Sequence, residues 1–242
     1  MHCGPQKGRV LEQFLLEHVQ LHPRPLDGTT YHIVEFGTYC GYSLIRMANA
    51  LLSEGIRHFH IHTIDIVEPT VARRMVQHVV QQEAESKPEW QVTFLTRSTD
   101  PNCCMKDLVN FPIDFLFLDH DKDAYLSDLQ HLEAAQCIRA GTAVAADNVV
   151  VFGLDAYRSH VAQHPCVTTT RLVEHALEYA EDEAEQYPDG MGASLTFCCK
   201  ANYCNIFSHA TWLPSCRTFR LYQGPILAMY RSSLHHPSEQ NL

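Results

Sequence analysis

Basic residues are scarce: Lys and Arg number 18 against 28 Asp and Glu, for a formal charge of −10. That balance opposes attraction to a phosphate backbone and no basic run offsets it, so a nucleic-acid partner is not expected. Long apolar runs are also absent. No stretch approaches the ~18 consecutive apolar residues needed to span a bilayer, and Met1-His2-Cys3-Gly4-Pro5-Gln6-Lys7-Gly8 has no apolar signal core. A cytoplasmic chain without a membrane partner is expected. Glycine and proline, at 11 and 12, are too few for a fibrous or low-complexity chain. The ten cysteines contain no C-x-x-C and the sixteen histidines no H-E-x-x-H, so sequence spacing indicates no zinc centre. Most histidines are expected on the surface or on helices. A chain of 242 residues can bury its own core, so the cysteines are not expected to form a disulfide framework.

What the sequence does contain is alternation. Short β-rich runs at Tyr31–Phe36, Phe59–Ile64, Gln91–Leu95, Ile113–Leu118, Thr142–Ala146 and Val167–Val173 are separated by helical stretches. The helices are read at Ser43–Leu52, Thr70–Glu85, Ala124–Cys137 and Leu154–Gln163. Repeated strand and helix predict an α/β fold with a parallel sheet. Runs such as Phe115-Leu116-Phe117-Leu118 are apolar on both faces, so helices must cover both sides, which is the doubly wound, Rossmann-like architecture. The acidic run Glu174 to Gln186 reads as a solvated helix face, and no helix is assigned before Tyr31.

In doubly wound sheets ligands bind beyond the carboxyl ends of the strands. Four candidate strands end on an acid: Glu35, Asp65, Asp119 and Asp147. The segment Glu35-Phe36-Gly37-Thr38-Tyr39-Cys40-Gly41-Tyr42-Ser43 leaves a strand and opens a helix, with glycines where backbone must turn and approach a ligand, so Gly37 and Tyr39 are cofactor-binding candidates. It is not G-x-G-x-x-G, which argues against cradling a pyrophosphate. Asp65 stands where a carboxylate reaches the ribose of an adenosine. Ser98 and Thr99 follow the third strand and are expected at the adenine edge, while Glu35 is suited to a cationic amino group. An adenosine sulfonium fits this set better than a dinucleotide.

Leu118-Asp119-His120-Asp121-Lys122 and Ala146-Asp147-Asn148 end neighbouring candidate strands, presenting two carboxylates and an amide oxygen. Such hard donors suit magnesium, with calcium or manganese as substitutes, and leave coordination positions for a bidentate ligand. Lys122 follows Asp119 by three residues, so both can face one cavity; the alternative is a surface pair with Asp123.

With these motifs in place, Val34 to Ser43, Phe117 to Leu126 and Ala146 to Val151 resemble, in order and spacing, those of the catechol O-methyltransferase family, and the agreement extends over roughly residues 4 to 197. Lys7-Gly8 and Leu177-Glu178-Tyr179 match more weakly. The resemblance implies a mostly parallel seven-stranded sheet whose last strand is antiparallel. It also implies transfer of a methyl group from S-adenosylmethionine to a catechol hydroxyl, with Mg2+ on Asp119, Asp147 and Asn148. Glu35, Ser43, Asp65 and Asp119 would meet S-adenosylmethionine, Cys3 would lie at its methionine end and His120 near its adenine. Lys122, Asn148 and Glu178 would meet the substrate, Lys122 as general base and Glu178 orienting the second hydroxyl.

The family usually has tryptophan where this chain has Asp121, and tends to have proline where it has Phe152. A carboxylate at 121 is expected to raise the lysine pKa. Phe152 is read either as a wall for the catechol ring or as a core residue. The family's helical N-terminal segment is expected to be lacking. Asp189 to Phe197 resembles the start of the family's closing strand and Arg220 to Pro225 its end, which implies one domain over 1–225, an insertion at 198–219 and a loose tail over 226–242. A monomer with a small-molecule partner is expected. Two other readings stay open: a cation-dependent O-methyltransferase for a different vicinal-diol aromatic, and a catalytically weak binding or assembly protein on the same fold.

Overall fold

The computed structural model describes residues 4–22, 29–82, 90–98, 105–176 and 188–197. Seven strands form one sheet in the order β3-β2-β1-β4-β5-β7-β6. They are β1 (Tyr31–Phe36), β2 (Phe59–Asp65), β3 (Gln91–Thr96), β4 (Phe115–Leu118), β5 (Ala143–Ala146), β6 (Val167–Ala176) and β7 (Pro188–Phe197). The first five are mutually parallel, and β7 runs antiparallel to both β5 and β6. The doubly wound sheet with an antiparallel closing strand is therefore as expected. The expectations for residues 198–242 lie outside the described residues.

β4 shows why the sheet needs cover on both sides. Phe115 and Phe117 join Leu11, Phe14 and Leu15 of α1 (Pro5–Leu21) and Leu44, Met47 and Leu51 of α2 (Tyr42–Ser53) in one apolar cluster. Leu116 and Leu118, pointing the other way, join Leu129 and Leu132 of α5 (Tyr125–Ala134) and Tyr157 and Val161 of α6 (Asp155–Gln163) in a second. Each such fully buried side chain contributes about 1.5–3 kcal/mol. The remaining helices are α3 (Thr70–Gln82) and the short α4 (Met105–Leu108).

Three sequence readings are corrected. A helix does precede β1: α1 begins with Pro5 in its first turn, where the missing N–H is harmless, and buries Lys7, Gly8, Leu11, Phe14, Leu15 and His18. The stripe has helical spacing, but its ends are polar, so it does not stand out as apolar periodicity. His18 is buried because both ring nitrogens are engaged, Nδ1 with Tyr31 Oη at 2.5 Å and Nε2 with the Gly141 carbonyl at 2.6 Å. The helix expected over Ala124–Cys137 ends at Ala134, after a 3-10 turn at Lys122–Ala124. Glu174 to Ala176, read as the start of a helix, extend β6, because the pairing with β7 continues from Val167 to Ala176.

Candidate active site

The strand order reverses between β1 and β4, and there the chain leaves the two strands in opposite directions and opens a crevice. Gly37 lies against it. Its φ is +97°, and a Cβ there would stand 2.2 Å from the Asp119 carbonyl oxygen, so only glycine lets the loop pass this close to the tip of β4. Gly37 N–H donates to Ile64 O at 2.8 Å and Asp119 N–H to Phe36 O at 2.8 Å, which ties the tips of β2, β1 and β4 together.

Glu35 is fully buried beside this loop. Ser43 Oγ donates to one carboxyl oxygen at 2.5 Å and Thr63 Oγ1 to the other at 2.6 Å; Thr63 is also 2.6 Å from the Thr38 hydroxyl. Burial pushes the Glu35 carboxyl up to about 7, against the lowering effect of both hydroxyls. Asp65, at the end of β2, accepts the Tyr39 N–H at 2.9 Å and the Val67 N–H at 3.3 Å, so it braces the glycine loop from the solvent side. Tyr39 itself is exposed with φ 45°, and Ser98 is exposed after β3. Cys3, Thr99 and Glu178 lie outside the described residues.

The paired ends of β4 and β5 set Asp119 and Asp147 next to one another: Leu118 is in register with Ala146, and Asp147 N–H donates to Leu118 O at 2.9 Å. Both carboxylates are nearly inaccessible and each meets a lysine. Lys122 Nζ lies 2.8 Å from Asp119 Oδ1, and Lys7 Nζ 2.9 Å from Asp147 Oδ1. Burial raises the Asp119 carboxyl to about 6, opposed by Lys122 and reinforced by the charge of Asp147. Burial raises Asp147 as well, opposed chiefly by Lys7. Asn148 is buried in the left-handed region at φ 58°, which asparagine tolerates, and its N–H donates to Asp147 Oδ1 at 2.8 Å. Lys122 thus pairs with Asp119, and the surface pairing with Asp123 is not adopted. Asp121 is exposed and its carboxylate accepts the Asp123 N–H at 3.2 Å, capping the 3-10 turn.

Two residues that lie in the resembling stretches but have no role assigned there complete the group. Lys7 is 3% exposed, and it is legible only as a member of the buried stripe on α1. Tyr125, three residues beyond Lys122, directs its one O–H between Leu118 O at 2.8 Å and Asp147 O at 3.2 Å, while accepting from Lys122 Nζ at 2.7 Å. It latches the two strand tips and fixes the lysine. His120 stacks between Phe36 and Tyr125, and its Nε2 is 2.8 Å from Asp128 Oδ2, which also accepts from Arg97. Although burial opposes it, these two partners hold the Asp128 carboxyl below its usual range. Phe152 is 51% exposed, so it is not a core residue. Among the described residues no helix is long and apolar enough to cross a membrane.

Acids whose carboxyls are raised by burial, gathered at a crevice where the strand order reverses, mark this end of the sheet as the candidate site. Comparisons agree with this architecture. Residues 34–149 match the family model described as a methyltransferase domain. The chain is 32% identical over 161 residues to the catechol O-methyltransferase of Sus scrofa, covering 66% of this chain and 77% of that one. It is 31% identical over 193 residues to catechol O-methyltransferase B of Danio rerio, covering 77% and 64%. A probable O-methyltransferase of Mycobacterium tuberculosis is 30% identical over 150 residues, covering 60% and 61%. The fold is shared with the Bacillus cereus O-methyltransferase crystallised with SAH, at a TM-score of 0.56 and 22% identity over 81% of this chain and 82% of that one.

Proposed function

Since the chain belongs to the catechol O-methyltransferase family of S-adenosylmethionine-dependent O-methyltransferases, we propose that it moves a methyl group from S-adenosylmethionine to one hydroxyl of a catechol, with Mg2+ as the metal. The observation that carries the reading is the buried pair Asp119 and Asp147 on adjacent strand tips, each answered by a lysine ammonium. Two carboxylates on adjacent strand tips, followed on β5 by Asn148, are hard oxygen donors of the kind a dication takes when it displaces the lysine ammoniums. Asp119, Asp147 and Asn148 would hold it. When bound, it would make the coordinated catechol hydroxyls more acidic and fix the attacking oxygen.

The chain's own residues supply the rest. A phenol near pKa ~10 is a poor nucleophile at neutral pH and must lose its proton first. Lys122 Nζ takes that proton. Without ligand Lys122 Nζ donates to Asp119 Oδ1; as base it turns to the substrate hydroxyl while Asp119 is engaged elsewhere in the working complex. Tyr125 keeps the lysine at the strand tips meanwhile. The phenolate oxygen then forms an O–CH3 bond as the S–CH3 bond breaks, the electron pair passing to sulfur to leave a neutral thioether. Glu35 would meet the methionine ammonium, whose charge favours the ionised carboxyl, and Asp65 would meet the ribose hydroxyls. Glu178 is proposed to orient the second hydroxyl, Cys3 to border the methionine end, and His120, Ser98 and Thr99 to border the adenine. The acidic balance favours a small-molecule partner over nucleic acid.

The test is transfer of labelled methyl to dopamine and to caffeate, with Mg2+ and with a chelator. Transfer to either that the chelator abolishes supports the reading. Cofactor binding without Mg2+-dependent transfer to any vicinal diol refutes it.

A further inference from the structure

His32 is the second residue of β1, and His60 and His62 are the second and fourth of β2. The register sets His32 beside His60, and a spacing of two along β2 returns His62 to the same face. The three imidazoles therefore stand together on the side of the sheet opposite Tyr31, Ile33, Phe59 and Ile61, which pack against α1 and α2. One ring nitrogen from each lies within 4.8 Å of the other two. The His60 and His62 rings stack with centroids 3.8 Å apart, and His32 is 5.6 Å from His62.

His32 Nδ1 and His62 Nε2 are 3.4 Å apart. That is the long, weak end for a hydrogen bond. It matches the ~3.3 Å edge of a tetrahedron built on metal–nitrogen bonds of about 2.0–2.1 Å. The rings are also supported from outside: His60 Nε2 is 2.7 Å from Thr93 Oγ1 on β3, and Phe111 covers His62 with ring centroids 4.2 Å apart. A hydroxyl partner of this kind orients a ligating imidazole. His62 is buried while His32 and His60 are half-buried, which leaves a side for an ion to enter. Burial and its two histidine neighbours push His62 down to about 3, and burial with His32 lowers His60, so both keep a free lone pair at neutral pH.

We propose that His32, His60 and His62 bind a borderline divalent transition metal, zinc foremost, as a clamp between β1 and β2 with a fourth position open to water. Imidazole donors select zinc, copper or nickel over magnesium, so this site is chemically distinct from the oxygen donors at the carboxyl ends of the strands. It is distinct in space too: Glu35 follows His32 by three residues, roughly 10 Å along the strand, and points to the other face. A second convergent group, Glu133, His160 and His164, is a weaker ligand set. There His164 Nδ1 accepts the Cys166 N–H at 3.3 Å, which leaves the proton of the neutral ring on Nε2, the nitrogen 3.8 Å from Glu133.

The experiment titrates the chelator-stripped full chain with Zn2+ in excess Mg2+, against a chromophoric chelator, alongside His32→Asn, His60→Asn, His62→Asn and a His160→Asn control. The parent chain and the control should take up the same number of equivalents. Each β-strand variant that melts cooperatively should take up one equivalent fewer, or bind it at least about tenfold more weakly. Zn2+ should raise the Tm of the parent chain by more than that of those variants. Co2+ should give tetrahedral d–d bands that are reduced in the variants. Uptake, affinity and Tm response unchanged in the cooperatively melting variants would overturn the proposal and mark the cluster as aromatic packing alone. Three variants in parallel keep the test decisive if one fails to fold.

Discussion

Lys7 and Asp147 are 140 residues apart in sequence, yet Lys7 Nζ lies 2.9 and 3.0 Å from the two carboxylate oxygens of Asp147, with both side chains almost fully buried. The first turn of α1 thereby delivers a cation to the tip of β5. A dication binding at Asp147 must compete with that ammonium, so metal affinity and fold stability are linked through one contact.

Replacing Lys7 by Met should therefore act in two directions. Without metal the change leaves Asp147 buried and unpaired, and breaking a buried pair in this way costs about 3–5 kcal/mol. Thermal melts in chelator should show a marked fall in Tm. Calorimetry should show Mg2+ binding at least as tight as in the parent chain, with Mg2+ recovering part of the lost stability. Weaker Mg2+ binding by a folded Lys7→Met chain would mean that Lys7 supports the metal site and does not compete for it.

Lys122→Met should lower turnover by about 10²–10⁴ while leaving KM for the catechol within a few-fold, since a proton-transfer residue acts in the transition state. Steady-state kinetics with Mg2+ and saturating cofactor check this. A rise in KM at unchanged kcat would assign Lys122 to substrate binding.

Glu35 links stability to pH. Its folded carboxyl titrates at about 7 against an ordinary value of 4.5, so the protonated form is favoured by folding. The stability this contributes is full below about 4.5 and is lost as pH rises through about 7. Glu35→Gln keeps an acceptor for Ser43 and removes the charge, its amide N–H donating to Thr63 Oγ1 where a carboxyl oxygen had accepted. The Tm difference between Glu35→Gln and the parent chain should grow in favour of the variant between pH 5 and pH 8. A difference independent of pH would place the Glu35 titration elsewhere.

Gly37→Ala sets a methyl group against the Asp119 carbonyl, where a Cβ would be 2.2 Å away, at a φ of +97° that alanine rarely adopts. Either the loop or the tip of β4 must shift. Cofactor and Mg2+ affinities should both fall at least tenfold, about 1.4 kcal/mol or more each. Gly55→Ala is the comparison: it shares a positive φ but has nothing within 4 Å, so it should lower stability modestly and leave both affinities unchanged. Equal effects of the two would mean backbone strain, with no role for the close approach.

The alternation of apolar strands with amphipathic helices was enough to set the fold, because a strand such as Phe115-Leu116-Phe117-Leu118 has no stable place except between two helical layers. The four acids at strand ends were legible for the same reason: in a parallel sheet, each strand's carboxyl end opens to the same side. What sequence order did not disclose depends on contacts between distant segments. Lys7 and His18 belonged to no assigned helix, because a buried stripe with polar ends is recognisable only once Asp147, Tyr31 and Gly141 are seen to receive them. Likewise His32 and the His60–His62 pair carry no metal-ligand spacing as a string, and only the parallel register of β1 on β2 makes neighbours of them. Local pattern determines which elements form, since period and propensity act over a few residues; pairing of strands and docking of α1 decide which charges meet, since burial and Coulomb energy depend on distance through space.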